Sequence, residues 1–311
     1  MIRRMTTRGG NRVKLLVTGA GGFVGAAVVR AALAAGHDVV ATGRSAASAR
    51  LIGTTATYYA ADLSDYAAVD AMVDAERPDI IIHSAWEGVS GPARAGDIQF
   101  ANVRHTSHLV DAAIRVGARK FVGIGSQAEY GRFDRLINED DLPNPSMIYG
   151  VAKLAAYHFG RQRANDAAMD FAWLRLFSPY GPGDNGNWLI PSLIAQMAAG
   201  VAPKMTAGAQ KWDYLFIDDT ADAILAAAVS DATGVFNLCS GEATRVRDIA
   251  EAIRDQVSPR LDLTFGEIPY GPAQIMHLQG DPSRLSAATG WAPHVCFADG
   301  LSRTIDAMVA A

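Results

Sequence analysis

Tyr149 and Lys153 stand four residues apart in a segment of helical periodicity, and Ser126 precedes them at the end of an apolar run. Positions i and i+4 of a helix project from one face, so a lysine ammonium so placed can sit near a phenol and favour its ionised form. An unperturbed phenol, with a pKa of about 10, carries protons poorly at neutral pH. Lowering it by roughly 3 units takes about 4 kcal/mol of differential stabilisation, within reach of a cation in a partly dry pocket. Hydroxyl, phenol and ammonium together suit proton and hydride exchange at a carbon–oxygen bond. The spacing alone also fits a solvated helix face, so the weight falls on its coincidence with the upstream serine and with a glycine turn near the N-terminus, in that order.

That turn reads Leu15-Leu16-Val17-Thr18-Gly19-Ala20-Gly21-Gly22-Phe23-Val24-Gly25, a buried strand, a turn and the first turn of a helix. Gly19 permits the tight turn, Gly22 allows close approach to a pyrophosphate, and Gly25 allows close helix packing. Gly21, Phe23 and Val24 complete a loop whose backbone N–H groups and helix N-terminus favour a phosphate. Dinucleotide binding is the expectation. Its selectivity should be written at the end of the second strand, where an acidic residue would bind the ribose hydroxyls of NAD. Here that end is Val40-Ala41-Thr42-Gly43-Arg44-Ser45. With no carboxylate, and with Arg44 able to make bidentate contact with a 2′-phosphate, NADP(H) is favoured and NAD(H) is the alternative. Asp62 and Leu63 are placed to contact the adenine, although Asp62 equally suits a cap for the helix beginning near Asp65.

The elements that must position these residues follow from periodicity. Short apolar runs at 13–18, 39–42, 56–60, 80–83 and 121–125 alternate with helical patterns at 23–35, 65–75, 98–116 and 147–165, and 171–176 is a sixth strand. Such alternation predicts an α/β Rossmann fold, a doubly wound parallel sheet with helices on both faces. After Phe177 the texture changes to Pro- and Gly-rich loops at 178–187, 203–211 and 267–272, as in a smaller α/β domain that covers a substrate. Segments 214–230 and 235–238 again read as helix and strand, so the second domain is interleaved. The division is a basic leader at 1–12, a dinucleotide-binding domain at 13–176 plus about 212–239, and a substrate-binding domain at 177–211 plus about 240–311.

Composition excludes several classes. With 311 residues, half of them hydrophobic, the chain can bury a substantial core. A net charge of −4 and a pI near 6.0 give no reason to expect nucleic acid or an anionic membrane as partner. Cys239 and Cys296 lack metal-ligand spacing and read as small buried hydrophobes. His83, His105, His108 and His158 read as structural, and no metal is expected. No apolar stretch reaches the ~20 residues of a membrane span, and the leader with Arg3, Arg4, Arg8 and Arg12 lacks an apolar signal region. A cytoplasmic protein with a disordered basic leader is the expectation.

Together these marks resemble the extended short-chain dehydrogenase/reductase superfamily, the nucleotide-sugar epimerases, dehydratases and ketoreductases. The resemblance is carried by the glycine turn, Asp62-Leu63, His83-Ser84-Ala85, Asn102, Gly125-Ser126-Gln127-Ala128-Glu129-Tyr130-Gly131 and Tyr149-Gly150-Val151-Ala152-Lys153. It continues through Arg175-Leu176-Phe177-Ser178-Pro179-Tyr180-Gly181-Pro182-Gly183, Asp213-Tyr214-Leu215-Phe216-Ile217-Asp218-Asp219, and Asp281-Pro282-Ser283-Arg284 to Gly290-Trp291-Ala292-Pro293. It implies that Tyr149 moves the proton, that Ser126 hydrogen-bonds the same oxygen, and that Lys153 holds the nicotinamide ribose and tunes Tyr149. Ser84, Ala85, Trp86, Asn102 and Phe177 join the cofactor site. Trp86, Gln127, Ser178, Asn187, Trp188, Trp212 and Arg247 are the substrate-side candidates.

Sugar 4,6-dehydratases follow the catalytic Thr or Ser with Asp-Glu, whereas Gln127-Ala128 stand here. Glu129, one position beyond, should turn to the other face of an extended segment. Epimerases of this family tend to keep NAD bound and carry the acid at the second strand, so Gly43-Arg44-Ser45 favours a reductase. The reading is therefore an NADPH-dependent reductase of a nucleotide-linked 4-keto-6-deoxyhexose, with an NAD(P)-dependent nucleotide-sugar 4-epimerase as main rival. A small-carbonyl reductase and a nonenzymatic NADP(H) sensor rank lower. Ser178 and Trp212 stand where relatives often carry Asn and Arg, so nucleotide recognition is atypical. The resemblance also implies a homodimer through a four-helix contact of 98–116 and 147–165.

Overall fold

The computed structural model describes residues 12–45, 49–184, 188–272 and 274–310. Nearly all of the basic leader, and Asn187, lie outside the described residues. Among the described residues, seven parallel strands form the large sheet: β1 (Lys14–Thr18), β2 (Asp38–Gly43), β3 (Thr57–Ala60), β4 (Ile80–His83), β5 (Lys120–Ser126), β7 (Asp170–Leu176) and β10 (Gly234–Leu238). Their order is β10-β7-β5-β4-β1-β2-β3. The sheet thus grows outward from β1 in both directions, which leaves a crevice at the carboxyl ends of β1 and β4.

The inner strands read as apolar runs because helices cover both faces, whereas edge strand β3 stays partly exposed. Side chains alternate between two cores at the strand period of 2. Leu15, Val17, Ile80, Ile82, Val122, Ala172 and Leu174 enter the core under α1 (Phe23–Ala34) and α6 (Ile217–Val229). Leu16, Ile81, Phe121, Phe171 and Trp173 enter the core under α2 (Tyr66–Glu76), α3 (Ile98–Val116) and α4 (Ile148–Asp166). None of the described helices is long and apolar enough to cross a membrane.

The smaller sheet has the order β11-β9-β12-β6, from β6 (Leu136–Ile137), β9 (Lys211–Phe216), β11 (Ala243–Arg245) and β12 (His277–Gly280), with β8 (Ser178–Tyr180) pairing on β9. Around it pack α5 (Leu189–Ala198), α7 (Val246–Val257) and α9 (Phe297–Val309), while α8 (Ser283–Thr289) lies against β10. Tyr130, Ile137, Phe177, Cys239 and Leu278 form a small core joining the two sheets.

Residues 214–230 do not form one helix, since Tyr214, Leu215 and Phe216 are strand residues paired with Ser178, Pro179 and Tyr180. An apolar run fits either period, and the partner strand decides it. The chain accordingly returns to the large sheet with α6 and β10 rather than at residue 212. Cys296 is exposed just before α9 instead of buried, and Cys239 is the buried thiol.

Asp213 ties the smaller sheet to the larger. Buried Asp213 on β9 accepts from Ser240 N (2.8 Å) and Ser240 Oγ (2.6 Å) beyond β10, and from Gly241 N (3.0 Å) and Gly280 N (3.1 Å). All four partners are donors, so an amide would turn an N–H toward N–H groups. Asp213→Asn is expected to lower the unfolding free energy by about 3 kcal/mol, read as a fall in the urea midpoint at unchanged m-value.

Candidate active site

The glycine turn meets the loop after β4 too closely for side chains. Gly19 has φ +67°, and a Cβ there would lie 2.7 Å from the Ala85 backbone. At Gly25 a Cβ would run into the Gly19 carbonyl. Gly22 begins α1 with extended backbone and no side-chain cap, and the helix carries no acid in its first turn. Gly19, Gly22, Phe23, Val24 and Gly25 therefore face a cavity of about 1130 Å³ with the first-turn N–H groups of α1. Gly21 accepts from Arg50 Nη1 at 3.1 Å.

Buried polar groups set the loop after β4. His83 bridges Thr18 Oγ1 (2.8 Å) and Thr106 Oγ1 (3.0 Å), and burial pushes its pKa down to about 3, so it is a neutral strut. Ser84 Oγ donates to Thr18 O at 2.8 Å. Asn102 grips Glu87 by accepting from its N–H (3.0 Å) and donating to its carbonyl (2.8 Å). It shapes the loop and does not line the cavity. Nor do Asp62 and Leu63: Asp62 accepts from Ser64 N (2.8 Å) and Oγ (2.7 Å), while Leu63 packs on the core under α2 to α4. The cap of α2 is Asp65, which accepts from Ala68 N at 3.0 Å.

Arg44 lines the cavity and pairs with Glu87 at 3.0 Å, both side chains being well exposed. Arg50, not singled out in the sequence, also lines it and donates to Gly183 O at 2.8 Å, joining the glycine turn to the loop after β8. Its type was legible as a cation after β2; its reach was not, because a loop separates it from the strand.

Ser126, Gln127, Tyr149, Lys153 and Trp86 line the cavity from the large-sheet side, and Phe177, Ser178, Trp188 and Trp212 line it from the smaller one. Arg247 stands apart from it: the guanidinium donates to Ala207 O (3.3 Å) and lies 4.1 Å from the Phe265 ring centroid. Lys204, Gln210 and Arg94 enter the lining instead.

Ser126 closes β5 and caps the short 3₁₀ turn Gln127–Glu129, its Oγ accepting from Ala128 N at 3.1 Å. That turn replaces the extended segment expected there. It sends Glu129 inward, fully buried, where the carboxylate accepts from Ser126 N (2.8 Å), Trp173 Nε1 (2.9 Å) and Arg175 Nε (2.8 Å).

Burial acts on Tyr149 and Lys153 in opposite directions and drives both toward their neutral forms. It raises the Tyr149 phenol above its ordinary value, against the hydrogen bond from Ser126 and the charge of Arg94, while Glu129 raises it further. It lowers Lys153 to about 7, against the pull of Glu129. The expected ammonium–phenol contact is therefore not the dominant one. Lys153 Nζ donates to Ile124 O at 2.6 Å, lies 3.7 Å from the Trp86 ring centroid and is 5.9 Å from that of Tyr149. Among the described residues, no group of three His, Cys, Asp or Glu could hold a metal ion.

The model of the NAD dependent epimerase/dehydratase family matches residues 15–239, and the chain belongs to that family, within the extended short-chain dehydrogenase/reductase superfamily. It is 29% identical over 314 residues to the UDP-glucose 4-epimerase of Mycolicibacterium smegmatis, covering 94% of this chain and 98% of that one. It is also 29% identical over 306 residues to the GDP-6-deoxy-D-mannose reductase of Pseudomonas aeruginosa, covering 93% and 94%. Its fold matches the crystal structure of the Thermus thermophilus UDP-glucose 4-epimerase complex with NAD at a TM-score of 0.87 and 23% identity, covering 96% and 99%.

The lowered Lys153 has a consequence for stability. The unfolded chain keeps this proton up to about the ordinary 10.5, whereas the folded chain releases it at about 7. The unfolded state then binds more protons between those limits, so folding stability rises with pH across that window. Lys153→Met is expected to flatten the rise by a few kcal/mol, at about 1.4 kcal/mol per unit, in urea titrations from pH 7 to 10. Lys120, lowered by burial to about 8, leaves a residual slope of the same sign.

Proposed function

We propose that this chain is an NADPH-dependent reductase of the keto group of a nucleotide-linked 4-keto-6-deoxyhexose. The observation that carries the cofactor choice is Arg44, lining the cavity at the end of β2 where an NAD-binding enzyme would carry a carboxylate. The site fits a dinucleotide: the uncapped N-terminus of α1 suits a pyrophosphate, and the glycine turn leaves no Cβ in its way. At about 1130 Å³ the cavity exceeds the roughly 300–1,000 Å³ typical of single small-ligand pockets, which leaves room for a second large ligand. Bound there, the nicotinamide supplies the hydride.

The chain's own residues manage the proton. Tyr149 gives it to the substrate oxygen, Ser126 holds that oxygen by a hydrogen bond, and Lys153 binds neighbouring hydroxyls. Elimination of water is not provided for, since Gln127 and Ala128 follow Ser126 and Glu129 is committed to Arg175. A nucleotide-sugar 4-epimerase using NAD is the second reading, favoured by Glu87. Its carboxylate, 3.0 Å from Arg44, restores an acid near the end of β2.

We also infer a homodimer built on α3 and α4, which pack together and carry the exposed apolar residues Phe100, Val151 and Phe159. Phe159→Glu is expected to shift the sedimentation coefficient from dimer to monomer. An unchanged value would remove this helix from the contact.

Calorimetric titration with NADPH and NADH, after assaying the purified protein for retained nucleotide, separates the two reactions. A reductase arrives without tightly held NAD, prefers NADPH by at least tenfold and loses that preference in Arg44→Ala. Retained NAD, with affinity indifferent to Arg44, selects the epimerase. Under either reading Tyr149→Phe loses turnover by about 10²-fold or more while cofactor affinity stays within a few-fold.

A further inference from the structure

Arg94 sits on a short turn between β4 and α3, and nothing in its sequence setting marks it. In the fold its guanidinium covers the face of Tyr149, with Cζ 4.1 Å from the ring centroid, and it lines the cavity. The turn is pinned from below. Buried Gln99 donates to Ala93 O at 2.9 Å and to Gly88 O at 3.0 Å, and accepts from Trp86 Nε1 at 2.8 Å. The guanidinium itself donates to Val89 O at 2.6 Å and to Met147 Sδ, just before α4, at 3.2 Å. Arg94 is thereby held between the loop after β4 and the start of the helix that carries Tyr149.

We propose that Arg94 is a positioning residue of the proton-transfer site, holding Tyr149 and supplying the fixed positive charge on its ring. A cation over an aromatic face is favoured by the ring's negative quadrupole, and a phenolate ring carries more negative charge than a phenol. Arginine keeps its charge at every pH a protein survives. Lys153 lies farther off, 5.9 Å from the ring centroid, donates to Ile124 O and is lowered by burial to about 7. The other groups at Tyr149 are Ser126 at the end of β5, whose hydrogen bond also favours ionisation, and Glu129 on the following turn, which opposes it. Glu129 is itself paired with Arg175 at 2.8 Å. Among the described residues, Arg94 is thus the nearer of the two cations at the Tyr149 ring, at 4.1 Å against 5.9 Å.

The inference rests on the proposed role of Tyr149, so its test avoids substrate. The full-length chain would carry 3-fluorotyrosine at position 149, whose phenol is more acidic than that of tyrosine and reports ionisation through its ¹⁹F shift. In Arg94→Gln the midpoint should rise by about one pH unit, a tenfold weaker ionisation, and in Arg94→Lys most of that rise should vanish. An unchanged midpoint in Arg94→Gln would overturn the proposal, as would an equal rise in both variants, which would show packing rather than charge. Circular dichroism confirms that each variant is folded. The midpoint does not depend on which sugar nucleotide is reduced or epimerised, so a failed reductase reading and a failed Arg94 reading are told apart.

Discussion

A single buried carboxylate, Glu129, holds together the end of the large sheet on which the site is built. Its two oxygens take donors from the backbone of Ser126, the indole of Trp173 and the guanidinium of Arg175, so β5, β7 and the turn between strand and site share one anchor. Both members of the ion pair are almost wholly buried. Such a pair contributes little net stability against an apolar alternative, but losing one partner strands a charge at a cost of about 3–5 kcal/mol. The arrangement specifies position more than it stabilises. Ser126 can serve as strand end, turn cap and cavity residue at once because Glu129 fixes its backbone.

The same carboxylate reaches Tyr149 and Lys153. It raises both the Tyr149 phenol and the Lys153 ammonium, opposing the larger effect of burial on the lysine and adding to it on the tyrosine. Low dielectric makes each charge expensive, so the cavity keeps phenol and amine near their neutral forms. Arg94, which keeps its charge, is also the nearer cation to the Tyr149 ring, at 4.1 Å against 5.9 Å for Lys153.

The cavity lies between the two sheets and is lined by residues from both. Phe177 passes from the large sheet to the small core between them, where a Cβ on Gly280 would meet its ring at 2.6 Å. Asp213 binds the two loops beside that contact. Arg50 adds a surface tie across the mouth, from the glycine turn to Gly183. Trp188 and Trp212 thereby line the same cavity as Ser126 and Tyr149 rather than belonging to separate surfaces.

By itself the sequence determined the run of parallel strands, the helices between them, the glycine turn and the trio Ser126, Tyr149 and Lys153. Each of these is written in local periodicity or in spacing along one element, and both survive folding unchanged. Tertiary structure decided the rest. The run 214–216 became strand because β8 offered it hydrogen bonds, and Asp65 rather than Asp62 capped α2 because of where that helix starts. Glu129 turned inward because a 3₁₀ turn, not an extended segment, follows Ser126. Arg94 came to lie on Tyr149, and Arg247 came to lie on Phe265 rather than in the cavity, through contacts between residues distant in the chain. Long side chains reach as far as neighbouring elements are apart, so their partners are set by packing distances that no pattern along the chain records.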